Sequence, residues 1–272
     1  MTSAVPSSAQ VIDGCRAQGR AALVAYLPIG YPDVPTSVAA ARAAVEGGAD
    51  VLEIGMPYSD PLMDGPMIQH AVDAALRGGA RTRDVLAAIE QLSASGATAL
   101  VMTYWNLVDR YGVERFAKDL ASAGGVGVIT PDLIPDEAAD WMAASDANDL
   151  ERVFLVAPSS TDARLAATAA ACRGWVYAAS TMGVTGVRGS VGAGAQGLVA
   201  RARSAGAQRV CVGLGVSTRA QAAEVAGYAD GVIVGSAFVR ALTEAADPAA
   251  GVAAVRALAE ELSAGVREGR AA

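Results

Sequence analysis

The sequence predicts a single (β/α)8 TIM barrel, an α/β fold of parallel strands, with extra helices at the N-terminus and inserted between units. Two observations carry that expectation. Short, continuously apolar runs alternate with amphipathic segments along the whole 272-residue chain. Continuous apolar character, rather than strict alternation, marks strands of a parallel sheet that helices cover. The second observation is the count. Eight strand–helix units in about 250 residues match the size of such a barrel. A doubly wound open sheet usually stops at about five to seven strands.

The strands are expected at 22–27, 50–55, 99–104, 127–130, 152–156, 175–178, 209–213 and 231–234. Helices are expected at 36–46, 67–77, 82–94, 113–123, 135–144, 163–172, 196–205 and 219–226. Another starts near Ser236, and a last one covers 249–267. Pro35 and Pro135 suit the first turn of a helix, where the missing N–H costs nothing. The pairs Gly47-Gly48, Gly78-Gly79 and Gly124-Gly125 follow helices, where a left-handed residue ends the run. No internal linker interrupts 1–272, which is read as one domain. Residues 1–10, rich in Ser, Ala and Pro, are expected to form a loose tail.

Composition narrows the function. Hydrophobic residues make up 53% of the chain and charged residues 18%, enough for a large core. The net charge of −7 and the lack of any Lys/Arg cluster argue against nucleic acid. No apolar run approaches the ~20 residues of a membrane span. The N-terminus lacks the basic start and apolar centre of a signal peptide. Cys15, Cys172 and Cys211 have neither disulfide nor metal spacing, which suits a reduced, cytoplasmic protein. His70 is the one histidine, so a multi-histidine metal site is excluded. It falls on an expected helix as a partly exposed residue without a catalytic role.

The stretch from Glu53 to Pro66, E-I-G-M-P-Y-S-D-P-L-M-D-G-P, carries the densest chemistry. Alternate strand residues share a face, so Val51 and Glu53 point one way and Leu52 and Ile54 the other. A carboxylate on a buried strand face is costly unless it is used. In a barrel the active site lies at the C-terminal ends of the strands. Glu53 ends the second strand and Asp64 lies in the loop after it. Tyr104 ends the third, Asp132 follows the fourth and Tyr177 is near the end of the sixth. Any one of these could be structural; closure of the barrel would bring them together.

Three later strand ends are glycine-rich and free of acids: 182–186, 213–217 and 235–237. Glycines permit tight turns. Loops after late barrel strands also build phosphate sites, with the N–H groups of a following helix facing the anion. Together the three favour phosphate. The segment 180–197, with Gly183, Gly186, Gly189, Gly192 and Gly194, is expected to be a mobile loop able to act as a lid.

These residues resemble one family, the tryptophan synthase alpha subunits, with actinobacterial features. The matching motifs are L-E-I-G-M-P-Y-S-D-P-L-M-D-G-P-M-I-Q at 52–69, M-T-Y-W-N-L-V at 102–108 and P-D-L-I-P-D-E at 131–137. They continue with M-G-V-T-G at 182–186, G-L-G-V-S at 213–217 and V-G-S-A at 234–237. The resemblance implies a carbon–carbon lyase that cleaves indole-3-glycerol phosphate to indole and glyceraldehyde 3-phosphate. It implies Glu53 as general acid/base, Asp64 as the group stabilising charge at the indole N–H, and Tyr177 near the glycerol hydroxyl. Tyr26, Met102, Tyr104 and Ile129 would line the indole pocket. Gly186, Gly213, Gly215, Gly235 and Ser236 would bind phosphate, and Thr185 would order against Asp64. The resemblance implies no metal or organic cofactor in this chain; pyridoxal phosphate would belong to a beta subunit in an α2β2 heterotetramer. The partner would sit on the rim formed near 57–61, 106–111 and 132–136. Met67, Tyr31 and the segment 187–197 depart from the family pattern.

Other readings are a stand-alone lyase that releases indole, a catalytically silent activating subunit, and a different phosphate barrel such as a sugar-phosphate epimerase. Glu53 and Asp64 argue against the silent subunit. The lack of metal-ligand histidines argues against a metal-dependent epimerase.

Overall fold

A computed structural model describes residues 5–179, 193–213 and 215–269. The chain opens with α1 (Ser8–Ala17), β1 (Ala22–Pro28), α2 (Val34–Glu46) and β2 (Val51–Gly55). Two helices, α3 (Pro66–Arg77) and α4 (Thr82–Ser93), lead to β3 (Ala99–Met102), followed by α5 (Trp105–Tyr111), α6 (Val113–Ser122) and β4 (Gly127–Thr130). Next come α7 (Ala139–Ala147), β5 (Glu151–Val156), α8 (Asp162–Ala171), β6 (Val176–Ala179) and α9 (Ala193–Ser204). The chain closes with β7 (Val210–Gly213), α10 (Arg219–Ala226), β8 (Gly231–Val234), α11 (Ser236–Thr243) and α12 (Pro248–Glu268).

The strands pair in parallel in chain order, β1 to β8, and β8 returns to β1, so the barrel is closed. All eight expected strands are present. Side-chain alternation splits the core in two. Val24, Val51, Leu100, Ile129, Val153 and Ile233 fill the barrel interior. Leu23, Leu52, Ile54, Val101 and Val212 face the helices. Val51 therefore points inward and Leu52 and Ile54 outward, as the strand period requires.

Local chemistry sets the helix ends. Asp33 accepts from Thr36 N at 2.7 Å ahead of Pro35, and Asp247 accepts from Ala250 N at 2.8 Å ahead of Pro248. Gly48 and Gly79, each the second of its pair, take positive φ of 103° and 90° where the chain leaves α2 and α3. The α12 helix spans 21 residues and packs against α2 and α10. It approaches α2 closely: a Cβ added to Gly47 would lie 2.5 Å from Arg256 O and 2.6 Å from the Ala259 methyl.

The structure corrects several expectations. The stretch 1–10 is not loose throughout, because Ser8 starts α1 and is buried. A capping box builds that start: Ser7 Oγ accepts from Gln10 N, and the Gln10 side chain accepts from Ser7 N. Ile12 and Cys15 reach the barrel interior, so α1 covers the N-terminal mouth. Glu151 accepts from Ser8 N at 3.0 Å and Ala9 N at 2.9 Å, and Asp13 pairs with Arg209 at 2.5 Å. The helix expected at 135–144 breaks after a 3-10 turn at Pro135–Glu137. The α9 helix begins at Ala193, earlier than expected, so the end of the 180–197 segment is helical. Residues 180–192 lie outside the described residues. No described helix is long and apolar enough to cross a membrane.

Candidate active site

Glu53 sits inside the barrel as the third of the five residues of β2, not at its last position as expected, opposite Tyr26 of β1 and Leu100 of β3. It is 1% exposed, and its Oε2 has no hydrogen-bond partner among the described residues. Burial pushes its carboxyl up to about 8, helped by the charge of Asp64. Asp64 is 8% exposed on the loop just before α3, and burial raises it to about 6. The Asp64 charge acts on Glu53, so the two carboxyls belong to one pocket.

The loop carrying Asp64 is braced from β3. Tyr104 accepts from Met63 N at 3.0 Å, and its ring packs on Tyr58 with centroids 5.2 Å apart. Asn106 Nδ2 donates to the Tyr58 hydroxyl at 3.2 Å. Gln69 Nε2, on α3, donates to Asp64 O at 2.8 Å.

Tyr26 and Tyr177 complete the pocket. Burial raises both hydroxyls well above their ordinary range, and the charges of Glu53 and Asp64 add to the shift in each. Glycines on neighbouring strands make room for the rings. A Cβ at Gly55 would lie 2.5 Å from the Tyr26 hydroxyl, and one at Gly213 would collide with the Tyr177 hydroxyl. Met102 pairs with Gly55 and Ile129 in the sheet, and Ile129 is fully buried. Glu53, Asp64, Tyr177, Tyr26 and Tyr104 thus share one electrostatic neighbourhood, with Met102 and Ile129 on the adjoining strands.

At the ends of β7 and β8 the glycines expected to bind phosphate lie on adjacent strands. Gly213 ends β7, and Gly215 has a φ of 69°. Gly235 precedes α11, and Ser236 is the first residue of that helix and 7% exposed. Thr185 and Gly186 lie outside the described residues. Asp132 caps α5, accepting from Trp105 N at 2.9 Å, and its charge adds to the upward shift of the Tyr104 hydroxyl. His70 is exposed on α3 with its ring edge-on to Tyr31, centroids 6.2 Å apart. Tyr31 and Met67 both contact Thr243 Oγ1, at 2.9 and 3.7 Å, so these departures pack α3 and the loop after β1 against α11. No group of three or more metal-ligating side chains occurs among the described residues.

Two buried acids, Glu151 and Asp230, escaped the sequence reading. Glu151, at the opposite end of the barrel, is 5% exposed and tied to α1. Its sequence setting, Asp149-Leu150-Glu151-Arg152, looks like a solvated turn. The Ser7…Gln10 capping box was the available signal that a helix, and hence a buried partner for it, begins there.

A family profile described as "Tryptophan synthase alpha chain" matches residues 12–267. The chain belongs to the tryptophan synthase alpha chain family. A tryptophan synthase alpha chain of Mycobacterium tuberculosis is 63% identical over 262 residues, covering 96% of this chain and 95% of that protein. A solved structure of Mycobacterium tuberculosis tryptophan synthase superposes with a TM-score of 0.91 at 61% identity, covering 97% of this chain and 99% of that one. A mutant tryptophan synthase alpha-subunit from Pyrococcus furiosus gives 0.82 at 31% identity, covering 90% and 97%. As a member of the tryptophan synthase alpha chain family, the protein is a lyase of tryptophan biosynthesis on a TIM barrel.

Proposed function

We propose that the pocket around Glu53 cleaves indole-3-glycerol phosphate to indole and glyceraldehyde 3-phosphate, with the two carboxyls in different roles. The observation that carries this is their separation: Glu53 is raised to about 8 and Asp64 only to about 6. At neutral pH Glu53 holds a proton and Asp64 is ionised, which is how one pocket supplies both an acid and a charge. Glu53 delivers its proton to C3 of the indole ring. The positive charge that develops at the ring N–H is met by the Asp64 carboxylate. The glycerol C3′ hydroxyl then gives up its proton to the Glu53 carboxylate and becomes the aldehyde oxygen. The C3–C3′ bond breaks and its electron pair returns to the ring, releasing indole. Tyr177 lies beside that hydroxyl, and Tyr26, Met102, Tyr104 and Ile129 form the indole walls.

The phosphate is held by Gly213, Gly215, Gly235 and Ser236, at the start of α11, where a helix N-terminus favours an anion. Gly186, expected to bind the same phosphate, and Thr185, expected to order against Asp64, lie outside the described residues. The step uses no metal or organic cofactor from this chain. A beta subunit carrying pyridoxal phosphate consumes the indole in an α2β2 assembly. Leu62 and Met63, 82% and 42% exposed on the loop that carries Asp64, support a partner on that rim. The free cysteines suit a reducing compartment such as the cytoplasm.

Glu53→Gln and Asp64→Asn test the roles. Each is expected to lower turnover of indole-3-glycerol phosphate by about 100-fold or more, while a glycerol-phosphate analogue still binds by calorimetry. Near-normal turnover in either variant overturns the assignment. Mixing the wild-type chain with a beta subunit is expected to raise the cleavage rate, and full activity alone would favour a stand-alone lyase.

A further inference from the structure

Trp175 is the residue just before β6, and its side chain belongs to the barrel interior. The indole is 1% exposed and stacks on the ring of Tyr177, with centroids 5.7 Å apart and planes 28° apart. On its other side the indole N–H donates to Ser8 Oγ at 3.0 Å. The Ser8 hydroxyl donates to Glu151, and the N–H groups of Ser8 and Ala9 donate to the two oxygens of the same carboxylate at 3.0 and 2.9 Å. Glu151 itself lies over Gly127, where a Cβ would stand 2.7 Å from the Glu151 Cβ. A continuous series of contacts therefore runs from the first turn of α1, through Trp175, to the ring of Tyr177.

Packing alone does not require this arrangement. A phenylalanine or leucine would fill the space below Tyr177 without burying a polar N–H, which is costly unless paired. An indole anchored by its N–H cannot turn about its own bond to Cβ, so it presents a face of fixed tilt. Tyr177 needs such a support, because its hydroxyl lies against Gly213, which has no side chain to hold it. We infer that Trp175 is a positioning residue for Tyr177, held at a fixed tilt by the N-terminal helix through Ser8. The inference rests on the proposed place of Tyr177 beside the glycerol hydroxyl.

The test uses the full chain with 3-fluorotyrosine incorporated, so that the Tyr177 resonance is identified by its loss in Tyr177→Phe. Trp175→Leu, which removes the stack, and Ser8→Ala, which removes the anchor, are each expected to shift or broaden that resonance. In Trp175→Leu the kcat for indole-3-glycerol phosphate cleavage is expected to fall by about tenfold with KM within about twofold, since misplacing a group lowers the rate more than binding. Trp175→Phe, which keeps a flat ring, should recover most of the loss. Trp175→Leu should add nothing further in a Tyr177→Phe background. A Tyr177 resonance unchanged in both Trp175→Leu and Ser8→Ala overturns the inference, as does a full multiplicative loss in the double variant. If Trp175→Leu does not fold, Ser8→Ala decides, since it deletes one oxygen. If Tyr177→Phe itself keeps wild-type kcat, the role of Tyr177 fails, and the fluorine spectra still decide whether Trp175 and Ser8 hold its ring.

Discussion

Glu53 and Asp64 are eleven residues apart in sequence and differ in surroundings more than in chemistry. Glu53 is on a strand, walled by the barrel interior, and burial sets its proton affinity first, with the Asp64 charge adding to it. Asp64 is on a loop at the rim and is raised less. The proposed roles require Asp64 ionised and Glu53 protonated when substrate binds. Measured from pH 5 to 9.5, kcat/KM is therefore expected to form a bell with an acid limb near 6 and an alkaline limb near 8. A profile flat across pH 8 would remove the case for Glu53 as the acid. Glu53, Tyr104 and Tyr177 were legible from their places on the strands and Asp64 from the loop after the second strand, once the barrel closes, whereas Tyr26 came from the family resemblance alone. Asp132 looked equivalent, yet it accepts from the first N–H of α5. A loop carboxylate and a helix-capping carboxylate look alike until the next helix is placed.

Among the elements, α12 depends on small residues. Gly47 admits it to within contact of α2, with backbone at Arg256 on one side and Ala259 on the other. Backbone cannot swing aside as a side chain can. Gly47→Ala is expected to destabilise the fold by about 1–3 kcal/mol, seen as a lower denaturation midpoint in urea, with KM unchanged because the site is at the opposite end of the strands. The strands were legible to within a residue or two, because continuous apolar runs leave few alternatives. The helices were less so. An N-terminal helix was expected without bounds, and its first turn was read as tail. The α5 helix went unplaced between β3 and α6, since seven residues give too few turns for a periodic signal. The break at Ala138 arises where the 3-10 turn that Pro135 begins gives way to α7.

For the molecule as a whole, the buried acids couple stability to pH. Glu53 binds its proton up to about 8 when folded but only to its ordinary 4.5 when unfolded. Within that window the folded state holds the extra proton, so raising the pH favours unfolding by up to about 1.4 kcal/mol per pH unit. The stabilising contribution is complete below 4.5 and is lost as pH climbs to about 8. Thermal midpoints of the wild type are expected to fall more steeply from pH 5 to 8 than those of Glu53→Gln, and parallel curves would contradict the burial of this proton. The inner layer of Val24, Val51, Leu100, Ile129, Val153 and Ile233 has a consequence of its own. With that layer packed beneath Glu53 and α1 against the far end, the described residues close the barrel on the side away from the rim. If a small apolar product is formed at Glu53, as proposed, its way out is over the rim by which its precursor entered. Whatever seats on that rim, beside Leu62 and Met63, decides whether the product escapes to water or is handed on.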